Sequence, residues 1–222
     1  MLKIENTEVL GWEHAIRGMR NPMNSWEKSD SSWRYVAPAQ RESHILASYF
    51  DDSEFWIGPN DADLMSRLRN AGTDHRKFMR MITVYVDLTA PLYWWKEYDT
   101  YKVATVANST STMHKIHSKP FSIDDFSHDH MTPETLAFME TVVGRLEAIR
   151  LKYMEEGKNK EDWYDMIQLL PSSYNQMRTC TMNYETLVNI YHARKAHKLV
   201  EWHTFCDWIG TLPYAKELII AD

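Results

Sequence analysis

From Phe78 to Leu88 the chain alternates, with Ile82, Val84 and Val86 on one parity. A β-branched run of period two predicts a strand with one face buried. Ala90-Pro91 follows at once, and proline suits the first turn of a helix far better than a strand interior. The helix placed there carries the segment WWKEYDTYK, so that Tyr93, Trp94, Trp95, Tyr98 and Tyr101 crowd one short stretch. Rings of this size fill a core or build a wall, and both demand a rigid framework. Directly afterwards come Asn108, Ser109, Thr110, Ser111 and Thr112, which fill nothing but offer hydroxyls and backbone N–H groups to a polar ligand.

The other elements are read from periodicity and punctuation. Leu2 to Leu10 reads as an opening strand, and Trp12 to Arg20 as a helix that stops at Asn21-Pro22. Ser25 to Asp52 shows no clear period and reads as irregular. Asn60 or Asp61 is placed to cap a helix running to Asn70, with Ala71-Gly72 as its stop. His114 to His130 reads as a loop. Thr132-Pro133-Glu134 then joins a cap, a first-turn proline and a first-turn acid, which starts a helix to about Glu156. A short helix over Asp162 to Leu170 ends at Pro171. Asn183 caps a further helix from Tyr184 to about His197, and another covers Lys198 to Ile209 before Gly210 and Pro213. These elements make an α+β chain with a helix-rich C-terminal half. No Gly- or Ser-rich linker divides the 222 residues, so one domain over 1–222 is expected.

Composition removes several classes of function. The net charge of −6 opposes a general nucleic-acid binder, which needs a clustered positive field. Two cysteines, Cys180 and Cys206, are too few for a disulfide framework and fit a reducing compartment. No apolar run reaches membrane-spanning length and the first residues lack a signal peptide's apolar core, so a soluble cytoplasmic protein is expected. Seven glycines, scattered singly, provide no phosphate-binding loop. His114, His117, His128 and His130 lie near Asp124, Asp125 and Asp129, but their spacing fits no familiar zinc pattern, and the expectation is no metal. Neither cysteine carries a nucleophile signature. An enzyme with such a sequence would take its reactive atom from a cofactor.

One residue stands against its surroundings. Leu187, Ile190, Arg194 and then His197 or Lys198 recur at helical spacing and share a stripe. A guanidinium on an apolar stripe is costly unless a partner meets it. That partner is either a structural carboxylate or an anionic ligand such as a carboxylate, a phosphate or a deprotonated imide.

The order of these features resembles the flavin-dependent thymidylate synthase family. Met19-Arg20 stands near the N-terminus, then come the helix from Asp61 to Gly72, the strand over Thr83 to Leu88, and Ala90-Pro91. Leu170-Pro171 follows, with Asn189 and Arg194 five residues apart and His197 and Trp202 after them. At the family's central signature the chain departs: Thr100-Tyr101-Lys102 stands where the family has Arg-His-Arg, and Lys96-Glu97 where it has Arg-Gln. With a one-residue shift Asn108 and Ser111 meet the family's Asn and Ser, while Met113-His114 replaces its closing Arg-Tyr. The family's arginine before Leu-Pro falls on Ile167, beside Gln168.

The resemblance implies a twisted, mainly antiparallel sheet with packed helices, assembled as a homotetramer. It implies FAD as cofactor, with NADPH and methylenetetrahydrofolate as co-substrates, and methylation of dUMP to dTMP without a protein nucleophile. Arg194 then matches the catalytic residue that stabilises the uracil anion. Arg80, Lys102, Asn189 and His197 match cofactor-binding positions. Glu97, Asn108, Ser109, Thr110, Ser111, Gln168 and Arg194 match substrate-binding ones. The altered centre keeps two alternatives open: a non-synthase homologue acting as a nucleotide-binding oligomer, and a variant enzyme that modifies another pyrimidine nucleotide.

Overall fold

The computed structural model describes residues 1–35 and 53–221. Its elements run β1 (Lys3–Leu10), α1 (Trp12–Arg20), β2 (Ser32–Tyr35), β3 (Ser53–Trp56), α2 (Pro59–Asn70), β4 (Thr83–Pro91), α3 (Leu92–Tyr98), β5 (Val106–Ser109), α4 (Pro133–Glu155), α5 (Lys160–Leu169), β6 (Asn175–Asn183), α6 (Tyr184–Arg194) and α7 (Val200–Ile209). A four-stranded sheet has the order β1-β4-β6-β5, and β2 pairs with β3 in an antiparallel ribbon. The fold is thus α+β, with antiparallel sheet and several helices. Two compact units share the chain. The first comprises Met1–Lys3, Leu88–Thr100 and Asn108–Thr179; the second comprises Ile4–Asp87, Tyr101–Ala107 and Cys180–Asp222.

In the first unit the rings of α3 are core. Trp94 and Trp95 are fully buried, edge to face at 5.0 Å, and Tyr98 packs at 5.3 and 5.1 Å from them. Trp95 Nε1 donates to the carbonyl of Gln176 (3.0 Å), and the Arg178 guanidinium lies 4.1 Å above the same ring. The amides of Leu92 and Tyr93 donate to the carbonyls of Tyr174 and Ser172, which satisfies two of the orphan donors at the start of α3. A second cluster, with Phe126, Met139, Val143, Leu146, Ile149 and Met166, lies between α4 and α5. Thr132 caps α4 and Asn159 caps α5 through their side-chain oxygens.

In the second unit a fully buried carboxylate organises the region before α2. Asp61 Oδ1 accepts from Arg20 Nε at 2.6 Å. Its Oδ2 accepts from the hydroxyls of Ser29 and Ser31 and from the amides of Asp30 and Ser31, all within 2.6–3.1 Å. Asp30 in turn caps α2 by accepting from the amides of Asn60 and Asp61. Gly58 is required beside it, because an added Cβ would lie 2.2 Å from the Asp30 carboxyl carbon.

Several expectations are corrected. The helix is capped from a distance by Asp30, so neither Asn60 nor Asp61 serves as the cap. The strand starts at Thr83, and residues Arg76–Met81 form a 3-10 helix. The reason is that Phe78 and Met79 are adjacent and both buried, which a period-two strand does not allow. Helix α3 stops at Tyr98, so Thr100, Tyr101 and Lys102 lie beyond it. Part of the stretch read as irregular is the strand β2, whose four residues are all exposed; residues 36–52 lie outside the described residues. Strand β6 escaped the sequence reading because polar Gln176 occupies its buried parity with Cys180 and Met182. Helix α6 ends at Arg194, short of His197.

Burial alone raises the Asp61 pKa, but the hydrogen bonds from Ser31 and Ser29 and the Arg20 charge outweigh it, and the carboxyl titrates below the ordinary range. A lowered carboxyl pKa contributes stability that is present above the unfolded-chain value of about 3.9. It is lost as pH falls from there through the folded value. Asp61→Asn leaves Arg20 buried without its anion and turns one acceptor into a donor facing donors. We expect it to cost about 3–5 kcal/mol in urea unfolding at pH 7, and to flatten the acid limb of the stability profile; an unchanged midpoint would refute this account.

Candidate functional site

The second unit holds the arginine that the sequence singles out. Asn183 caps α6 by accepting from the amide of Thr186 at 2.9 Å. Leu187 and Ile190 are buried on the helix stripe, which carries Arg194 to its last position. Arg194 is half-buried, and its Nε donates to the Tyr101 hydroxyl at 2.8 Å. Its guanidinium lies 4.6 Å from the centre of the Trp202 ring and 5.4 Å from that of Tyr101. His197 follows the helix, with its ring 6.3 Å from Trp202 and its Nδ1 accepting from the amide of Leu199. The structure thus brings Arg194, His197, Tyr101 and Trp202 together.

The remaining cofactor candidates of this unit are more scattered. Lys102 is exposed beside Tyr101, and Asn189 is exposed on α6. Arg80 lies 3.4 Å from Glu185, a buried carboxylate that Arg76 also meets at 3.3 Å. Arg80 also borders a cavity of about 890 Å³ in this unit. Met19, Met23, Leu68, Phe78 and Met81 give that cavity apolar walls, and Asp74, His75 and Lys77 line it with Arg80.

The substrate candidates other than Arg194 belong to the first unit or to the strand entering it. Asn108 and Ser109 lie on β5 and are exposed. Thr110 is fixed through its backbone: its amide donates to Met177 and its carbonyl accepts from Gln176 Nε2. The Ser111 hydroxyl oxygen accepts from the amides of Met113 and His114. Thr110 and Ser111 line a cavity of about 630 Å³ with Lys115, Lys119, Tyr174 and Asn175. Glu97 on α3 and Gln168 on α5 are not among its lining residues.

The lysines, Tyr174 and Asn175 were missed in the sequence; Lys115 and Lys119, a few residues after the hydroxyl run, were the available signal. Lys119 is held above its usual pKa by its hydrogen bond to Asp125, and burial raises that of Tyr174. At neutral pH both are therefore protonated donors.

His117 packs against Tyr153 at 5.0 Å, and burial, followed by the charges of Lys158 and Lys115, lowers its pKa. His128 Nδ1 bonds the carbonyl of Phe126. Among the described residues no group of three or more His, Cys, Asp and Glu could hold a metal ion. Also among them, no helix is long and apolar enough to cross a membrane.

No protein-family model matches the sequence, and no curated protein matches it. Solved structures do match. A crystal structure of thymidylate synthase X (ThyX) from Helicobacter pylori with FAD and dUMP aligns with a TM-score of 0.66 and 16% identity, over 99% of this chain and 97% of that one. Another structure of that flavin-dependent enzyme, complexed with FAD and dUMP, gives 0.65 and 16% over 97% and 98%. The likeness is one of fold. It spans nearly the whole of both chains, so the arrangement of elements is shared even where the side chains differ.

Both cysteines are buried, and burial followed by the nearby Asp207 charge raises the Cys206 thiol to about 11. At pH 8 such a thiol is only about 0.1% thiolate. Iodoacetamide should therefore alkylate Cys206 in the native protein at least ~100-fold more slowly than in urea. Equal rates, read by peptide mass spectrometry, would contradict this.

Proposed function

We propose that the protein is a flavin-dependent thymidylate synthase-like enzyme that methylates dUMP to dTMP with methylenetetrahydrofolate, as a homotetramer using NADPH as reductant. The observation that carries the reading is Arg194, held at its Nε by Tyr101 and seated on Trp202, in a chain whose fold follows an FAD- and dUMP-bound synthase from end to end.

A flavin with its diphosphate needs an apolar slot and cations at its edge, within the few-hundred to thousand Å³ of ordinary ligand sites. The cavity lined by Phe78 and Met81 also counts Arg80, Lys77 and His75, with Asp74, among its lining residues, and so offers apolar walls and cations. Arg80 would meet the diphosphate there, while Lys102, Asn189 and His197, which do not line this cavity, are proposed as cofactor contacts by the resemblance alone. When bound, reduced flavin supplies the electrons for making a methyl group, which no side chain provides.

The protein's own contribution is binding and electrostatics. Arg194 meets the pyrimidine oxygen on which negative charge develops, and a charge-assisted donor there stabilises the transition state more than the ground state. Thr110 and Ser111 are proposed as substrate contacts by the resemblance to the family. Lys115 and Lys119 line a cavity with both residues, where Asp124 and Asp125 also stand and Lys119 is paired with Asp125. Asn108, Ser109, Glu97 and Gln168, which do not line that cavity, stay in the proposed substrate set by the resemblance alone. Cys206, with its raised pKa, is not a nucleophile at neutral pH.

A second reading has its own support. Arg80 is already met by Glu185, and in Thr100-Tyr101-Lys102 only the lysine carries a charge. A chain so poor in available diphosphate partners would serve as a nucleotide-binding oligomer or modify a different pyrimidine nucleotide. Spectral titration with FAD, with and without dUMP, separates the readings: a flavin spectrum that responds to dUMP supports the synthase, and no flavin binding under either condition removes it. In a methylene-transfer assay, Arg194→Ala should lower turnover by about 10²–10³-fold with the far-ultraviolet dichroism unchanged. Full turnover in that variant would refute its assigned role.

A further inference from the structure

Tyr101 lies outside every helix and strand, yet its place is closely fixed within the second unit. Its hydroxyl oxygen accepts from Arg194 Nε at 2.8 Å, and its ring meets Trp202 at 6.1 Å, edge to face. Its carbonyl accepts from the Thr105 hydroxyl, and the next turn is tied to α6, where the Thr186 hydroxyl donates to the carbonyl of Val103 at 3.3 Å. A phenol carries one proton as well as its acceptor lone pairs. Arg194 uses the oxygen as an acceptor, so the O–H is left to donate. Among the described residues no acceptor meets it, and the side chain is only half-buried.

We infer that Tyr101 is a substrate-contacting residue that donates its hydroxyl hydrogen to a carbonyl oxygen of the pyrimidine, paired with Arg194. The inference rests on the nucleotide-binding reading above. Its geometry is simple. An oxygen accepting from the phenol lies about 2.7 Å from it, and the phenol itself is in contact with the guanidinium. Any such ligand oxygen therefore sits in the field of the cation. A hydroxyl that accepts from a charged donor is polarised toward stronger donation. Two linked donors, one charged and one neutral, suit an oxygen that gains negative charge and discriminate against a ligand lacking it. A phenol at a position where the resembled family carries histidine would thus give this chain its own means of reading the base.

A simpler role is that of a prop, in which Tyr101 only steadies Arg194 and the Trp202 ring. The test distinguishes the two. Wild type and Tyr101→Phe, each with FAD present, are titrated with dUMP and, by competition, with deoxyribose 5-phosphate. The variant keeps the ring and loses only the hydroxyl. The expected result is a loss of about 10–100-fold in dUMP affinity, unchanged sugar-phosphate affinity, and a thermal midpoint within a few degrees of wild type. Equal weakening of both ligands, or unchanged dUMP affinity in a variant of a dUMP-binding wild type, overturns the inference alone. Failure of the wild type to bind dUMP overturns the underlying reading and this inference with it.

Discussion

Every alternate residue from Ile82 to Ala90 is withdrawn from water: Ile82, Val84, Val86, Leu88 and Ala90 are at most 1% exposed. This stripe fixes the register of β4, since a slip of one residue would expose all five. Strand β4 lies between β1 and β6 in the sheet, so pairing on both sides depends on it. Its end dictates the next event as well. Pro91 is extended and cannot donate to the ladder, and the chain turns directly into α3. The short helix is then held by burial of Trp94, Trp95 and Tyr98, because seven residues have little helical stability of their own.

Much of this was legible because apolar parity and local punctuation are written in neighbouring residues. The cap at Asn183, the Thr132-Pro133 start and the α1 boundaries are all local signals, and all appear in the structure. What was not legible depends on distant partners. Asp30 caps a helix that begins 29 residues later at Pro59, and Asp61 draws its ligands from Arg20 and from Ser29 to Ser31. Strand β6 hides behind Gln176, whose buried amide is satisfied by the Thr110 carbonyl, a contact invisible to a hydropathy pattern. The aromatic crowd at Trp94 and Trp95 was visible, and its role as core follows from burial.

The same division holds for the candidate site. Arg194 stands out in sequence because it breaks an apolar stripe, and no long-range information is needed to notice it. Its immediate partners, Tyr101 and Trp202, are 93 residues before it and 8 after it, and nothing in the spacing joins them. Arg80 shows the converse. Its charge is conspicuous in sequence, but the structure sets it against Glu185, so visibility alone is a poor guide to availability.

The chemistry left to the protein follows from which groups remain reactive. Buried Cys206 resists ionisation, because burial penalises its thiolate and the nearby Asp207 charge adds to that. Tyr174 and Lys119 are held protonated, and the hydroxyls of Thr110 and Ser111 do not ionise at neutral pH. Such groups orient and polarise; they do not attack. Groups of this kind fit the proposed function, in which bond making is supplied by something bound. Arg194 was noticed in sequence for breaking an apolar stripe, and the structure adds the Tyr101 hydroxyl and the Trp202 ring as its neighbours.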